Sequence, residues 1–293
     1  MRTIMSMNRL SREQRTQIIS LLVEGMSLRA ITRTTGVSIN TVTKLLIDAG
    51  RACSAYQDRH LRGLKSQRIQ VDEIWAFTYA KAKNVPTAKA APIEAGDIWT
   101  WVAIDADTKL VPSWFVGDRS AVAARHFMLD IKDRIDTRIQ LTSDAFRSYA
   151  EVVESVFGRK VDYAQLVKTY ATPSPEPQAA RRYSPTECIA VEKRQLIGVP
   201  DLRDISTSFV ERQNLTMRMH MRRFTRLTNA FSKKAVNHVH AVSLHFMYYN
   251  FCRIHQTLRI TPAMAAGVTG RLWEVEDIVR TVEQWETKTI QNP

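Results

Sequence analysis

Three carboxylates stand where packing gives them no reason to be. Asp72 lies inside the apolar run "IQVDEIWAFTYA" (69–80), Asp144 closes "IQLTSD" (139–144), and Glu211 heads a stretch with seven Lys/Arg and no Asp/Glu between Arg212 and Lys234. A buried carboxylate without a partner is costly. If the strands of Asp72 and Asp144 are neighbours and the helix of Glu211 crosses them, the three acids converge and repel one another unless cations neutralise them. Hard oxygen ligands of this kind suit Mg²⁺. Two such ions about 3.5–4 Å apart activate an attacking oxygen and stabilise the leaving one in phosphodiester displacement. Asp72, Asp144 and Glu211 are therefore the candidate catalytic residues and the candidate metal ligands.

The residues around Glu211 suggest what is held there. On a helix, Asn214 and Arg218 fall on the face of Glu211. Arg222, Arg223 and Arg226 are further DNA-binding candidates on an acid-free basic helix expected over 212–234, suited to a phosphate backbone. Competing acids read more simply. Glu73 faces the opposite side of its strand from Asp72, and Asp105, with Asp107 and Thr108 in "DADT", builds a turn. His238, His240 and His245 read as packing or DNA-facing residues, because positions two apart on a helix do not share a face. His255, in "YNFCRIHQTLR", is a candidate phosphate contact.

These groups need elements to position them. "SREQRTQIISLLVEGMSLRAITRTTGVSINTVTKLLIDAG" (11–50) predicts three short helices, with Ser11, Ser27 and Ser38 as caps and a turn at Gly36. This order resembles the helix-turn-helix of bacterial DNA-binding proteins, whose last helix enters the major groove. Ser38, Asn40, Thr41, Thr43 and Lys44 are then the candidate DNA-reading residues. Residues 51–66 are basic and weakly patterned and read as a linker. β-branched and aromatic runs predict strands at 69–80, 98–108 and 110–117; a helix at 120–135, a strand at 139–144, a helix at 146–157 and a strand at 160–170 follow. Strands first and alternation afterwards predict an α/β fold, a mixed sheet flanked by helices. Residues 171–205 read as a long loop or small insertion, and the chain beyond 206 reads as helical to about 257. The expected units are a helix-turn-helix domain (1–50), the linker (51–66), a catalytic domain (67–260) with its insertion, and a C-terminal tail (261–293).

The composition fits. With 44% hydrophobic and 24% charged residues, the 293-residue chain is globular rather than disordered. Its formal net charge of +13 points to a polyanionic partner, nucleic acid ahead of a membrane surface. Residues 1–66 carry 11 Lys/Arg against 4 Asp/Glu, over half of that excess. Three scattered cysteines (Cys53, Cys188, Cys252) form no CxxC motif, which argues against a disulfide framework and fits a reducing cytoplasm. No apolar run approaches the length of a membrane span.

"VDEIW", "LTSDAFRSY", "SFVERQNLTMRMHMRRFTRLTNAFSKK" and "YYNFCRIHQTLRITPAMAAG" together resemble a bacterial insertion-sequence transposase of the DDE class, with the ribonuclease-H-like fold shared with retroviral integrases. The likeness covers about 67–268 and is most specific over 208–268. It implies that Asp72, Asp144 and Glu211 form the acidic triad and hold two Mg²⁺ ions, for which Mn²⁺ can substitute. It further implies hydrolysis at transposon ends, attack of the freed 3′-hydroxyl on target double-stranded DNA, and at least a dimer on DNA in the bacterial nucleoid. Two departures stand out. The interval from Asp144 to Glu211 is wider than in integrases, so 171–205 must loop out, and three cysteines cannot build the zinc module with which some related transposases begin. Two alternatives stay open: a non-catalytic helix-turn-helix regulator, and a nuclease of the same fold without strand transfer.

Overall fold

The computed structural model describes residues 10–171, 187–225 and 228–291. Ser11 caps α1 (Arg12–Val23) in a reciprocal capping box with Gln14, Ser27 caps α2 (Leu28–Thr35), and Ser38 caps α3 (Ile39–His60). Gly36 turns between α2 and α3 with φ of 72°, a left-handed conformation that a side chain would strain. The three capped helices expected at 11–50 are therefore present, but α3 does not stop there. Its buried stripe Val42, Leu45, Leu46, Ala49 continues through Ala52, Cys53 and Gln57, so residues 51–60 are helix rather than linker. The basic side chains of that segment lie on its outer face and mask the period in the sequence.

The sheet comprises β1 (Arg68–Thr78), β2 (Gly96–Asp105), β3 (Ser113–Gly117), β4 (Ile139–Ser143), β5 (Val161–Tyr170) and β6 (Cys188–Ile197). Its order is β3-β2-β1-β4-β5-β6. β1 to β3 run antiparallel, β4 and β5 run parallel to β1, and β6 returns antiparallel to β5. The expected insertion therefore supplies an exposed edge strand, beginning at Cys188, in place of a simple loop. α4 (Ala121–Arg134) and α5 (Arg147–Phe157) cover one face, around Val71, Trp101, Phe127, Leu141 and Tyr149. The result is the expected mixed sheet flanked by helices.

On the other face lie α6 (Ser208–His220) and α7 (Ala235–Phe251), followed by the short α8 (Pro262–Ala265) and by α9 (Val275–Gln291). α6 ends at His220 and gives way to a 3-10 turn at Arg222–Phe224, so 212–234 is not one basic helix. The last segment is not a tail either. α9 buries Ile278, Val279 and Val282, and joins α1 through the pairs Arg12–Glu283 (2.6 Å) and Arg15–Glu286 (3.0 Å). One continuous core contains Ile18, Ile31 and Leu46 from the N-terminal helices, Ile74 and Val102 from the sheet, and Phe246 and Val279 from the C-terminal ones. The N-terminal helices are thus built into the molecule. Gly50 makes the closest crossing: a Cβ there would meet His240 of α7 at 2.4 Å. Among the described residues no helix is long and apolar enough to cross a membrane.

Candidate active site

β1 carries acids on both faces. Its register pairs Gln70 with Thr142 of β4, and Thr142 in turn pairs with Ala164 of β5. Parallel partners share a face and alternate residues repeat it. Asp72 therefore projects on the face of Gln70 and Thr142, and Asp144 leaves the carboxyl end of β4 one strand away, a spacing of about 4.8 Å. The Gln70 side-chain oxygen accepts from the backbone N–H groups of Phe209 (2.8 Å) and Val210 (3.2 Å), fastening the start of α6 to this face.

Asp72 is half-buried. Its carboxyl is pushed up to about 7, first by burial and then by the charges of Glu73 and Asp144. The Asn214 amide nitrogen donates to Asp72 Oδ2 at 2.8 Å and opposes that rise. Asn214 is 4% exposed, and its own Oδ1 is buried without a hydrogen-bond partner. Asn214 is thus turned onto Asp72 rather than outward toward a DNA backbone. Asp144 accepts from the Phe146 N–H at 2.9 Å, which sets the turn into α5.

The structure brings Asp72 and Asp144 together but does not add Glu211. The Glu211 carboxylate is exposed and occupied: Lys168 of β5 forms an ion pair with it, and the Thr207 hydroxyl donates to the same oxygen at 2.5 Å. Among the described residues no three His, Cys, Asp or Glu side chains are grouped to hold one metal ion. What the paired acids offer is an oxygen-only donor set with excess negative charge, with the Asn214 amide bonded to one of them. These features fit a hard divalent cation. Asp72 and Asp144 are the groups that would hold it, Asn214 fixes the Asp72 carboxylate, and Glu211 stands one helical turn from Asn214.

Glu73 faces α5, as its alternation requires. Its side chain is 1% exposed and is bound by Arg119 (2.6 Å) and the Tyr149 hydroxyl (3.0 Å). The Arg119 guanidinium lies over the rings of Trp99 and Phe146, at 4.7 and 4.5 Å. Asp105 accepts from the backbone of Asp107 and Thr108, and so builds the turn expected of it.

The remaining candidates divide. Arg222 is exposed, and Arg226 lies outside the described residues. Arg223 is turned inward, donating to Ser232 Oγ (2.9 Å) and to the Asn237 carbonyl (3.2 Å), with its pKa lowered to about 10 by burial. His238 and His245 are buried and pushed down to about 3 by burial and nearby cations, the packing role expected. His255 is half-buried in a turn, its N–H bonded to the Ile260 carbonyl at 2.9 Å. In the N-terminal helices, Ser38 and Thr41 share the cap of α3, Thr43 donates to the Ile39 carbonyl, and Lys44 pairs with Asp48. Asn40 is exposed. Lys168, Arg119, Tyr149 and Gln70 were not singled out in the sequence. The one available signal was Lys168, a charge on the inward alternation of "YAQLVKTY".

No protein-family model and no curated protein matches the chain. Two solved structures are similar in part. A cryo-EM structure of a piggyBac transposase synaptic complex with hairpin DNA is 8% identical with a TM-score of 0.43, covering 97% of this chain and 74% of that one. A Mos1 transposase paired-end complex with the left transposon end is 14% identical with a TM-score of 0.21, covering 53% of this chain and 59% of that one. Neither likeness is close enough to transfer a residue, so the site is read from its own geometry.

Proposed function

We propose that the chain is a DNA transposase of the DDE class, which binds the terminal repeats of a mobile element and cuts and joins DNA strands with divalent metal ions. The observation that carries this reading is the placement of Asp72, in the middle of β1, within electrostatic reach of Asp144, which follows the carboxyl end of the adjacent parallel β4, with the Asn214 amide bonded to Asp72. Among the described residues no cationic side chain is paired with either carboxylate, and a bound cation would relieve their repulsion. Bound Mg²⁺ or Mn²⁺ would supply charge stabilisation to the attacking and leaving oxygens of a phosphodiester. Asp72 and Asp144 would hold the ions, Asn214 would orient Asp72, and Glu211 would complete the set after leaving Lys168. The net charge of +13, the helix-turn-helix and exposed Arg222 supply the contact to duplex DNA. Both ends of an element must be held together for joining, so the working form is at least a dimer.

One observation favours a second reading. Glu211 is paired with Lys168 and stands outside any three-ligand cluster, as suits a non-catalytic DNA-binding regulator. Incubating the protein with DNA ending in the inverted repeats that flank its gene, with Mg²⁺ or Mn²⁺, separates the alternatives. A transposase nicks and joins and loses both activities in Asp144→Asn. A nuclease nicks without joining, and a regulator binds without nicking.

A further inference from the structure

Lys168 does not behave like a surface lysine. It follows Ala164 and Leu166 on the alternation of β5 that faces α6, the same face as Asp72. Its side chain is 27% exposed and reaches along the sheet to Glu211, the acid that α6 carries one turn before Asn214. Thr207 closes the arrangement by donating to the same Glu211 oxygen. Glu211 is thus held from two sides, while Asn214 on the next turn already touches Asp72.

This arrangement answers an electrostatic problem. A third carboxylate placed beside Asp72 and Asp144 without a metal ion would add to the repulsion that already raises Asp72. An ammonium on Glu211 removes that charge from the cluster while α6 stays docked through Gln70. We infer that Lys168 is a positioning residue that serves as the resident counter-ion of Glu211, and that a divalent cation must displace it to recruit Glu211 to the two aspartates. This deepens the transposase reading and rests on its metal site. The pair can separate by side-chain rotation, since Lys168 and Glu211 both have long, flexible stems and neither is fully buried.

The test is Mn²⁺ binding without DNA, measured by calorimetry or by the electron paramagnetic resonance of free Mn²⁺. Lys168→Met should bind Mn²⁺ about tenfold more tightly than the wild type, because Glu211 no longer has to be freed. Lys168→Arg should stay near wild type, and Lys168→Met combined with Glu211→Gln should lose the gain. A second measurement needs no variant. Labelling of Lys168 by an amine-reactive reagent, quantified by peptide mass spectrometry, should rise several-fold at saturating Mn²⁺ and stay constant when Asp72→Asn and Asp144→Asn remove the site. Mn²⁺ uptake with unchanged Lys168 labelling, or equal affinities for wild type and Lys168→Met, overturns the counter-ion role and leaves the metal site standing. Absence of Mn²⁺ uptake by both proteins overturns the counter-ion role and the metal-dependent reading together.

Discussion

Asp72 and Glu73 are neighbours on one strand, and they have been given opposite surroundings. Glu73 points into the layer under α4 and α5, where Arg119 and Tyr149 take both of its oxygens and two aromatic rings cover the guanidinium. Asp72 points toward α6, where the Asn214 amide is its side-chain donor while the charges of Glu73 and Asp144 both bear on it. The protein has the means to neutralise a buried acid and uses them on the one that packs. Leaving the other short of positive charge costs folding free energy, a cost that the cation site proposed above would account for.

The largest effect that would break this contrast is catalytic. Asp72→Asn and Asp144→Asn should each lower strand cleavage by about 10³-fold or more, since each removes a metal ligand whose charge stabilisation is worth several kcal/mol. Glu73→Gln should retain cleavage within roughly tenfold. If Glu73→Gln and Asp72→Asn lose activity equally, the two faces do not divide the labour as described. Gel assays of nicking on end-labelled DNA read all three variants.

Stability should invert that order. Arg119→Ala leaves Glu73 buried and unpaired and should cost about 2 kcal/mol, less than the full penalty for a buried pair because Arg119 itself reaches solvent. Adding Glu73→Gln to Arg119→Ala should recover part of that loss, a coupling that urea unfolding of the double-mutant cycle measures. Asp72→Asn should stabilise the protein at pH 8 by about 1–3 kcal/mol. The sign follows from linkage. The folded Asp72 carboxyl titrates near 7 and the unfolded one near 4, so the folded state binds the extra proton between those values and stability falls as pH rises through them. The gain in Asp72→Asn should therefore be full above about pH 7 and vanish below about pH 4. Thermal melts across that range, without divalent ions, would refute the electrostatic account of Asp72 if the gain did not change with pH.

Much of this contrast was legible in the sequence, and the illegible parts share a cause. Alternation alone puts Glu73 across the strand from Asp72, and an acid among Val71, Ile74 and Trp75 already announces that it has a task. The caps at Ser11, Ser27 and Ser38 are local and were readable for the same reason. The destination of Glu211 was not, because its partner Lys168 is 43 residues away on a strand whose register no local pattern specifies. The same limit applies to 51–60 and 275–291. Their apolar residues repeat at helical spacing, but only the tertiary core shared by α1, α3, α7 and α9 turns that spacing into burial.

The contrast between adjacent like charges recurs at smaller scale in Arg222 and Arg223. A run of arginines reads as one phosphate-binding surface, yet of this adjacent pair Arg222 is exposed, whereas Arg223 spends its guanidinium on Ser232 and the Asn237 carbonyl. Arg222→Ala should weaken DNA binding at every sequence alike and lower the slope of log affinity against log salt by about 0.9, the loss of one phosphate contact. Arg223→Ala should leave that slope unchanged and instead lower stability by about 1–2 kcal/mol, because two part-buried acceptors lose a charged donor. Fluorescence anisotropy over a salt series, paired with urea unfolding, places each arginine on one axis or the other. A slope change from Arg223→Ala as large as that from Arg222→Ala would mean that the inward guanidinium turns out to DNA on binding, and that burial in the free protein does not sort structural from functional charge here.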